Sequence, residues 1–300
     1  MNYLKMKHFT PAQQSQKRAI FYAILAAALY AVSSPVSKLL LSNVSPTMMA
    51  ALLYLGAGAG LWIMGRVQKR WGGESKEKPL TRKELPYTVG MVLLDIAAPI
   101  LLMAGLTLTT AANAALLNNF EIVATSLIAL FIFKERISAR LWVAIVLVTL
   151  ASIILSVEDV SSFSFSRGSL LVLLACVCWG LENNCTRKLS SKNPLQIVVV
   201  KGFCSGCGSL IIALCLHQHL PALPYLAVAL LLGFAAYGLS IYFYIYAQRY
   251  LGAAKTSTYY AVAPFIGVAL SFLIFWSLPG LTFFIALAVM AAGTWLASTE

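Results

Sequence analysis

The sequence predicts an all-α membrane protein of ten transmembrane helices arranged as two inverted five-helix repeats. Three observations carry this expectation: an apolar composition that no soluble core absorbs, basic residues confined to alternate gaps between apolar runs, and an internal repeat with an odd number of spans per copy. Of the 300 residues, 60% are hydrophobic and only 11% charged, where soluble domains carry about 25% charged residues. The apolar runs are about twenty residues long, which at about 1.5 Å per helical residue crosses ~30 Å of hydrocarbon.

The spans fall near Ala19 to Leu41, Pro46 to Met64, Tyr87 to Leu106, Thr110 to Phe133 and Leu141 to Val157 in the first half. In the second half they fall near Gly168 to Thr186, Leu195 to Leu216, Tyr225 to Gln248, Ala254 to Trp276 and Leu281 to Ala297. The opening stretch, MNYLKMKHFTPAQQSQKRAI, lacks an apolar core followed by a small-residue cleavage site, so the first membrane helix is expected to be retained.

The net charge is +12. All Lys and Arg residues except Lys38, Arg167, Lys201 and Lys255 lie in the N-terminal tail or in the gaps that follow the even-numbered spans. Basic residues are retained on the cytoplasmic side, so both termini are expected in the cytoplasm of a multi-pass protein of the cell (inner) membrane. The bases form no continuous face or stripe, which argues against a nucleic-acid partner.

The repeat is legible as two local matches. RAIFYAILAAALYAVSSPVSKLLLSNVSP, from Arg18, aligns with RGSLLVLLACVCWGLENNCTRKLSSKNP, from Arg167, at an offset of 149, pairing Tyr30 with Trp179, Ser33 with Glu182 and Lys38 with Arg187. NAALLNNFEIVATSLIALFIF aligns with KTSTYYAVAPFIGVALSFLIF at an offset of 142, pairing Asn113 with Lys255 and Ile122 with Pro264. The difference arises mainly from the long basic loop RVQKRWGGESKEKPLTRKELP against the short HQHLPALP. Five spans per copy invert one copy relative to the other. The expected organisation is a cytoplasmic tail over residues 1–17, a first repeat over 18–157, a periplasmic or extracellular linker over 158–167 and a second repeat over 168–298.

LTTAANAALLNNFEIVATSLIALFIFKERIS, from Leu108 to Ser138, and RYLGAAKTSTYYAVAPFIGVALSFLIF, from Arg249 to Phe275, resemble the EamA-type members of the drug/metabolite transporter superfamily. The resemblance covers the chain from about Arg18 onward and implies ten helices, five per repeat. Two departures stand out. Glu121 is followed by Ile122 where such proteins often have Pro, whereas Pro264 keeps it in the ninth span, and Ser277 replaces the Glu that matches Glu135 of the first copy.

A charge at mid-bilayer costs about 2.5 to 3.5 kcal/mol, so each one needs a partner, a wet cavity or a proton. Asp95 sits in the middle of TVGMVLLDIAAPILLM, one turn before Pro99, with no partner nearby in sequence. It reads as a protonation site or a ligand for a cation, or as a carboxylic acid hydrogen-bonded between helices. Asn118, Glu121 and Thr125 share one face of the fourth span, and Trp179, Glu182, Asn183 and Thr186 share one face of the sixth. Both faces are candidates to line a translocation cavity, with a buried interhelical network as the alternative. In the ninth span Lys255, Thr258 and Tyr259 lie to one side, and Lys255 either binds an anion or snorkels to the cytoplasmic surface. Lys201 is deep enough to pair with a carboxylate that the sequence leaves unnamed. Tyr237, Tyr242, Tyr244 and Tyr246 are expected mostly in an interfacial aromatic belt.

All six cysteines lie within or at the ends of predicted spans, which argues against loop disulfides. Cys204 and Cys207, in KGFCSGCGS, read as small residues at a helix contact rather than a metal or redox pair. No metal, cofactor or catalytic constellation is expected, and no GxxxxGK[ST] motif points to ATP hydrolysis.

The substrate-binding or coupling set is therefore expected to be Asp95, Asn118, Glu121, Thr125, Trp179, Glu182, Asn183, Lys255 and Tyr259. The expected function is secondary-active transport, the expected partners being a small-molecule substrate and the lipid bilayer, with export of metabolites such as amino acids implied by the resemblance. Monomer and homodimer stay open, as do two other function classes, a membrane enzyme acting on lipid-linked substrates and a channel.

Overall fold

A computed structural model describes residues 11–71, 77–132, 134, 138–159, 164–277 and 279–298. The chain is a helical bundle. Its first half runs through α1 (Pro11–Ala31), α2 (Ser33–Leu40), α3 (Pro46–Arg70), α4 (Leu85–Leu108), α5 (Ala111–Leu117), α6 (Phe120–Phe131) and α7 (Ala139–Ser156). A two-stranded antiparallel pairing of Val157–Asp159 with Ser164–Phe165 leads to the second half. That half comprises α8 (Arg167–Leu189), α9 (Pro194–Cys215), α10 (Leu223–Leu232), a π-helical turn Gly233–Leu239, α11 (Ser240–Tyr260), α12 (Ala263–Phe275) and α13 (Leu281–Ser298).

Among the described residues, eight helical stretches are long and apolar enough to cross a membrane, and two shorter apolar helices, Ala263–Phe275 and Leu281–Ala297, follow them. Large apolar side chains such as Phe21, Trp62, Leu93, Trp142, Leu231 and Trp295 face outward, while Asp95, Glu182 and Lys201 are buried. This arrangement suits a hydrocarbon solvent, since backbone groups are satisfied within helices and charges are kept from lipid.

Helix starts follow local chemistry. Thr110 accepts from the Asn113 N–H at the head of α5, Ser166 from the Ser169 N–H at α8, and Asn193 from the Leu195 and Gln196 N–H groups at α9. Pro46 and Pro194 open α3 and α9, where no intrahelical donor is lost.

Several expected spans are interrupted. The first breaks at Val32, between α1 and α2, and the fourth at Asn118–Asn119, between α5 and α6. The ninth breaks at Ala261–Val262, close to the position that the 142-residue offset assigns to the break in the fourth. Although α11 is helical throughout, it is not straight. The rings of Tyr244 and Tyr260 lie 4.9 Å apart, whereas straight helix would separate these positions by about 24 Å. The chain therefore reverses direction between them, in the region where the sequence places the turn after Arg249.

The principal packing pairs each join the two halves: α3 with α9, α4 with α8, α1 with α11, α7 with α13, and α5 with α12. Glycines set the closest approaches. A Cβ on Gly202 of α9 would stand 2.4 Å from the Gly58 backbone N of α3. In the same helix Gly202, Ser205, Gly206 and Ser209 are buried, but Cys204 and Cys207 are exposed. The small-residue contact expected from KGFCSGCGS is thus made by glycine and serine, and the cysteines are turned off it by the helical period.

Candidate functional site

The polar interior is built where α4, α8 and α9 converge. Asp95 lies in α4 before the buried Pro99 and is fully buried. Its Oδ2 stands 3.0 Å from Lys201 Nζ of α9, and its Oδ1 accepts a 2.8 Å hydrogen bond from the Tyr54 hydroxyl of α3. Lys201 Nζ lies also 2.9 Å from Glu182 Oε1 of α8. The Thr186 hydroxyl, one turn further along α8, donates to the same Glu182 oxygen. Two carboxylates thus share one ammonium and, when ionised, leave the group with a net negative charge. Each carboxylate has both the shared ammonium and a hydroxyl donor, partners that a charge removed from water requires.

A second polar group lies where α6 meets α8. Glu121 Oε1 accepts from Asn183 Nδ2 at 2.5 Å, and the same amide nitrogen is 3.3 Å from Thr125 Oγ1. Gly180 permits this approach, because a Cβ there would stand 2.8 Å from both Ala124 Cβ and the Thr125 backbone N. The α5–α6 break does not destroy the register. The Glu121 N–H still donates to the Asn118 carbonyl at 3.1 Å, which keeps Asn118 and Glu121 on one side. Asn118 is buried, and its Oδ1 has no hydrogen-bond partner among the described residues. Since Glu182 and Asn183 are consecutive, α8 links the two polar groups directly.

Tyrosines complete the interior. The Tyr237 ring lies 5.3 Å from that of Tyr54 and 5.9 Å from that of Tyr30, and Tyr30 lies 5.9 Å from Tyr260. Tyr237 is only 2% exposed and its hydroxyl accepts from Ser33 Oγ at 3.3 Å. The expected aromatic belt therefore needs correction. Tyr237 and Tyr244 belong to an interior cluster, while Tyr246 stacks edge-on against Tyr22 and contacts Tyr250.

Of the residues expected from sequence, Asp95, Glu121, Thr125, Glu182 and Asn183 are brought together, with Asn118 beside them. Trp179, one turn before Glu182 on α8, packs in the cluster that also holds Tyr54 and Tyr237. Tyr259 is half-buried, and the ring that enters the tyrosine cluster is that of its neighbour Tyr260. Lys255 falls within α11, but its side chain lies outside the described residues, as do Glu135 and the side chain of Thr258. Sequence reasoning passed over Tyr54 and Tyr30. A mid-span tyrosine must find a partner for its hydroxyl, which was the available signal.

A separate open cavity of about 440 Å³ is lined by Lys38, Thr109, Thr110, Asn113 and Ser166, among others. Lys38 Nζ donates to the Thr109 carbonyl at 2.7 Å and to that of Leu106, so it caps the last turn of α4. Among the described residues, no group of three or more His, Cys, Asp or Glu side chains is placed to hold a metal ion.

Comparison with known proteins adds to this geometry. The profile of the EamA-like transporter family matches residues 17–157 and again 166–299. The chain is similar to an uncharacterized transporter of Methanothermobacter thermautotrophicus, at 28% identity over 268 residues covering 84% of this chain and 77% of that protein. It is also similar to the uncharacterized transporter YyaM of Bacillus subtilis, at 21% identity over 206 residues covering 66% of this chain and 68% of that one. A solved crystal structure shares the fold over 95% of both chains, with a TM-score of 0.65 at 17% identity.

Proposed function

Because this chain belongs to the EamA-like transporter family, we propose that it is a secondary-active exporter of small metabolites such as amino acids, working by alternating access between two inverted five-helix repeats. The chain is a multi-pass membrane transporter rather than an enzyme. In the proposed arrangement ten spans cross the inner membrane, residues 18–157 and 168–298 form the repeats, and both termini are cytoplasmic.

One observation carries the reading: Asp95 of the first half and Glu182 and Lys201 of the second meet in a buried ionic cluster. Inverted repeats place the substrate and coupling groups of such carriers between the copies near the midplane. The packing pairs support the same organisation. Exchanging the halves converts the α4–α8 pair into the α11–α1 pair and leaves the α3–α9 and α7–α13 pairs unchanged, as a pseudo-two-fold relation requires.

Substrate enters a cavity lined by Asn118, Glu121, Thr125 and Asn183, and a carboxylate there exchanges a proton for substrate. Rocking one repeat against the other then opens the cavity to the opposite side. Reconstituted protein is expected to show saturable uptake that is stimulated by substrate on the opposite side of the membrane. A non-saturating flux without counterflow would identify a channel and overturn the carrier mechanism. Export is tested by comparing intracellular and excreted metabolites in cells with and without the protein.

A further inference from the structure

The open cavity of about 440 Å³ lies apart from the polar interior: among the described residues its lining includes neither Glu121 nor any member of the Lys201 triad. Its wall is drawn from the ends of α2, α4 and α7, the turn before α5 and the cap of α8. In the proposed orientation it opens at the extracytoplasmic face. Lys38 is the cation of this wall. Its Nζ donates to the carbonyls of Leu106 and, at 2.7 Å, of Thr109, whereas an ammonium has three hydrogens to donate. Those two acceptors are dipoles at the C-terminal end of α4, worth about half an elementary charge, so the full charge of Lys38 is only partly balanced. The hydroxyls beside it point to the same chemistry. Thr109 Oγ1 accepts from Asn113 Nδ2 at 3.1 Å, Thr110 Oγ1 from the Asn113 N–H at 3.1 Å, and Ser166 Oγ from the Ser169 N–H at 3.3 Å. In each described bond the hydroxyl is the acceptor, so its own hydrogen is left to donate. The Asn113 amide also reaches the Leu155 carbonyl and Ser169 Oγ, which fixes the wall in place before any ligand arrives.

From these observations we propose that the cavity is a binding site for one oxyanion group, a carboxylate or phosphate, with Lys38 as counter-charge and the hydroxyls of Thr109, Thr110 and Ser166 as hydrogen-bond donors. Bonds from an ammonium or hydroxyl to an ionised oxygen are roughly twice as strong as neutral ones, so this donor set favours an anion over an uncharged ligand. The volume falls within the ~300–1,000 Å³ usual for small-molecule sites. It admits a soluble metabolite or the headgroup of a lipid, and the oxyanion is the chemistry common to both. Leu108 and Leu155 flank the polar wall and suit an apolar part of the same ligand. The assignment goes beyond the transport reading and rests on none of the residues that carry it.

The test titrates the purified full-length protein in a neutral detergent with acetate, methylphosphonate and the uncharged acetamide, binding being read by ligand-observed NMR. Both anions are expected to bind at least about tenfold more tightly than acetamide, the scale of one charge-assisted contact. Because the Leu108 side chain is 58% exposed, Leu108→Glu sets a like charge in the wall without removing any helix cap. It is expected to weaken both anions by about tenfold or more, and Leu108→Gln to keep them. Lys38→Gln is expected to lose binding together with some thermal stability, since it uncaps α4, and Lys38→Arg to recover both. Phosphatidylglycerol retained through purification and lost in Leu108→Glu, read by mass spectrometry, would assign the oxyanion to a lipid. Acetate binding without such retention would assign it to a soluble ligand, and either result upholds the site. Acetamide binding as tightly as acetate would overturn it, as would unchanged anion binding in a folded Leu108→Glu protein. So would a wild-type protein that binds neither anion and retains no lipid. The linker between Leu155 and Ser166 carries Glu158 and Asp159, whose side chains lie outside the described residues. Anion binding that emerges only in a Glu158→Gln, Asp159→Asn variant would make these carboxylates the occupants and overturn the proposal.

Discussion

The Lys201 ammonium stands 3.0 Å from the Asp95 carboxylate, joining the second half of the chain to the first within the apolar interior. A second contact, 2.9 Å to Glu182, makes Lys201 the shared centre of an ionic triad. Removing one member of a buried ion pair leaves an uncompensated charge and costs about 3–5 kcal/mol. Lys201→Met is therefore expected to lower the thermal midpoint and the yield of folded protein sharply. Adding Asp95→Asn and Glu182→Gln to that variant removes both orphaned charges and is expected to restore most of the loss. If the triple variant is no more stable than Lys201→Met alone, the triad does not hold the helices as its distances imply.

The α3–α9 seam gives a prediction of the opposite kind, in which an added group is harmful. A Cβ on Gly202 meets Gly58 backbone atoms at 2.4 and 2.5 Å, and backbone cannot swing aside as a side-chain tip can. Gly202→Ala is expected to destabilise the fold by about 1–3 kcal/mol, the usual cost of overpacking. Gly90→Ala is the matched control, since its Cβ meets only Cys185 Sγ, at 3.2 Å. Thermal unfolding in detergent compares the two, and equal midpoints would contradict the close approach.

The parts of this site legible in sequence were those decided within one helix. The 3.6-residue period placed Asn118, Glu121 and Thr125 together, and likewise Glu182 and Asn183, without reference to any neighbour. The same period, applied to KGFCSGCGS, separates Gly202, Ser205 and Gly206 from Cys204 and Cys207, a distinction that composition alone obscured. Lys201's partners were not legible, because they depend on the relative depth and rotation of α4, α8 and α9. Tyr237 was misplaced for a related reason. An interfacial tyrosine and a buried one look alike in sequence, and Tyr237 stands in a π-helical turn whose altered register no local pattern announced. The breaks at Val32 and Ala261–Val262 likewise fall where no single residue announces them, and that at Asn118–Asn119 falls on two polar residues inside a run long enough to read as one span.

Orientation is tested by placing single cysteines in a cysteine-free background. Ser42, between α2 and α3, and Ser191, between α8 and α9, are both exposed. With the N-terminus cytoplasmic, they fall on opposite sides of the membrane. Ser42→Cys is expected to react with an impermeant maleimide in intact cells, and Ser191→Cys only after permeabilisation. The reverse pattern would invert the orientation, and reaction of both from outside would break the ten-span arrangement.

For the proposed exchange of a proton for substrate, Asp95 and Glu121 are not equivalent carboxylates. Asp95 is occupied by Lys201 on one oxygen and Tyr54 on the other, so releasing it would disturb three helices. Glu121 is held through Asn183 alone among its described hydrogen-bond partners, so a proton and a substrate compete for it at less structural cost. Glu121→Gln is therefore expected to abolish the pH dependence of transport in proteoliposomes, while a folded Asp95→Asn protein keeps it at reduced total activity. Stability and coupling thus separate between the two positions, and an imposed pH gradient with matched amounts of folded protein reads the second without the first. Wild-type pH dependence in the Asp95→Asn, Glu121→Gln double variant would remove both residues from the coupling step. Loss of pH dependence in Asp95→Asn alone would instead transfer the role to the ionic triad.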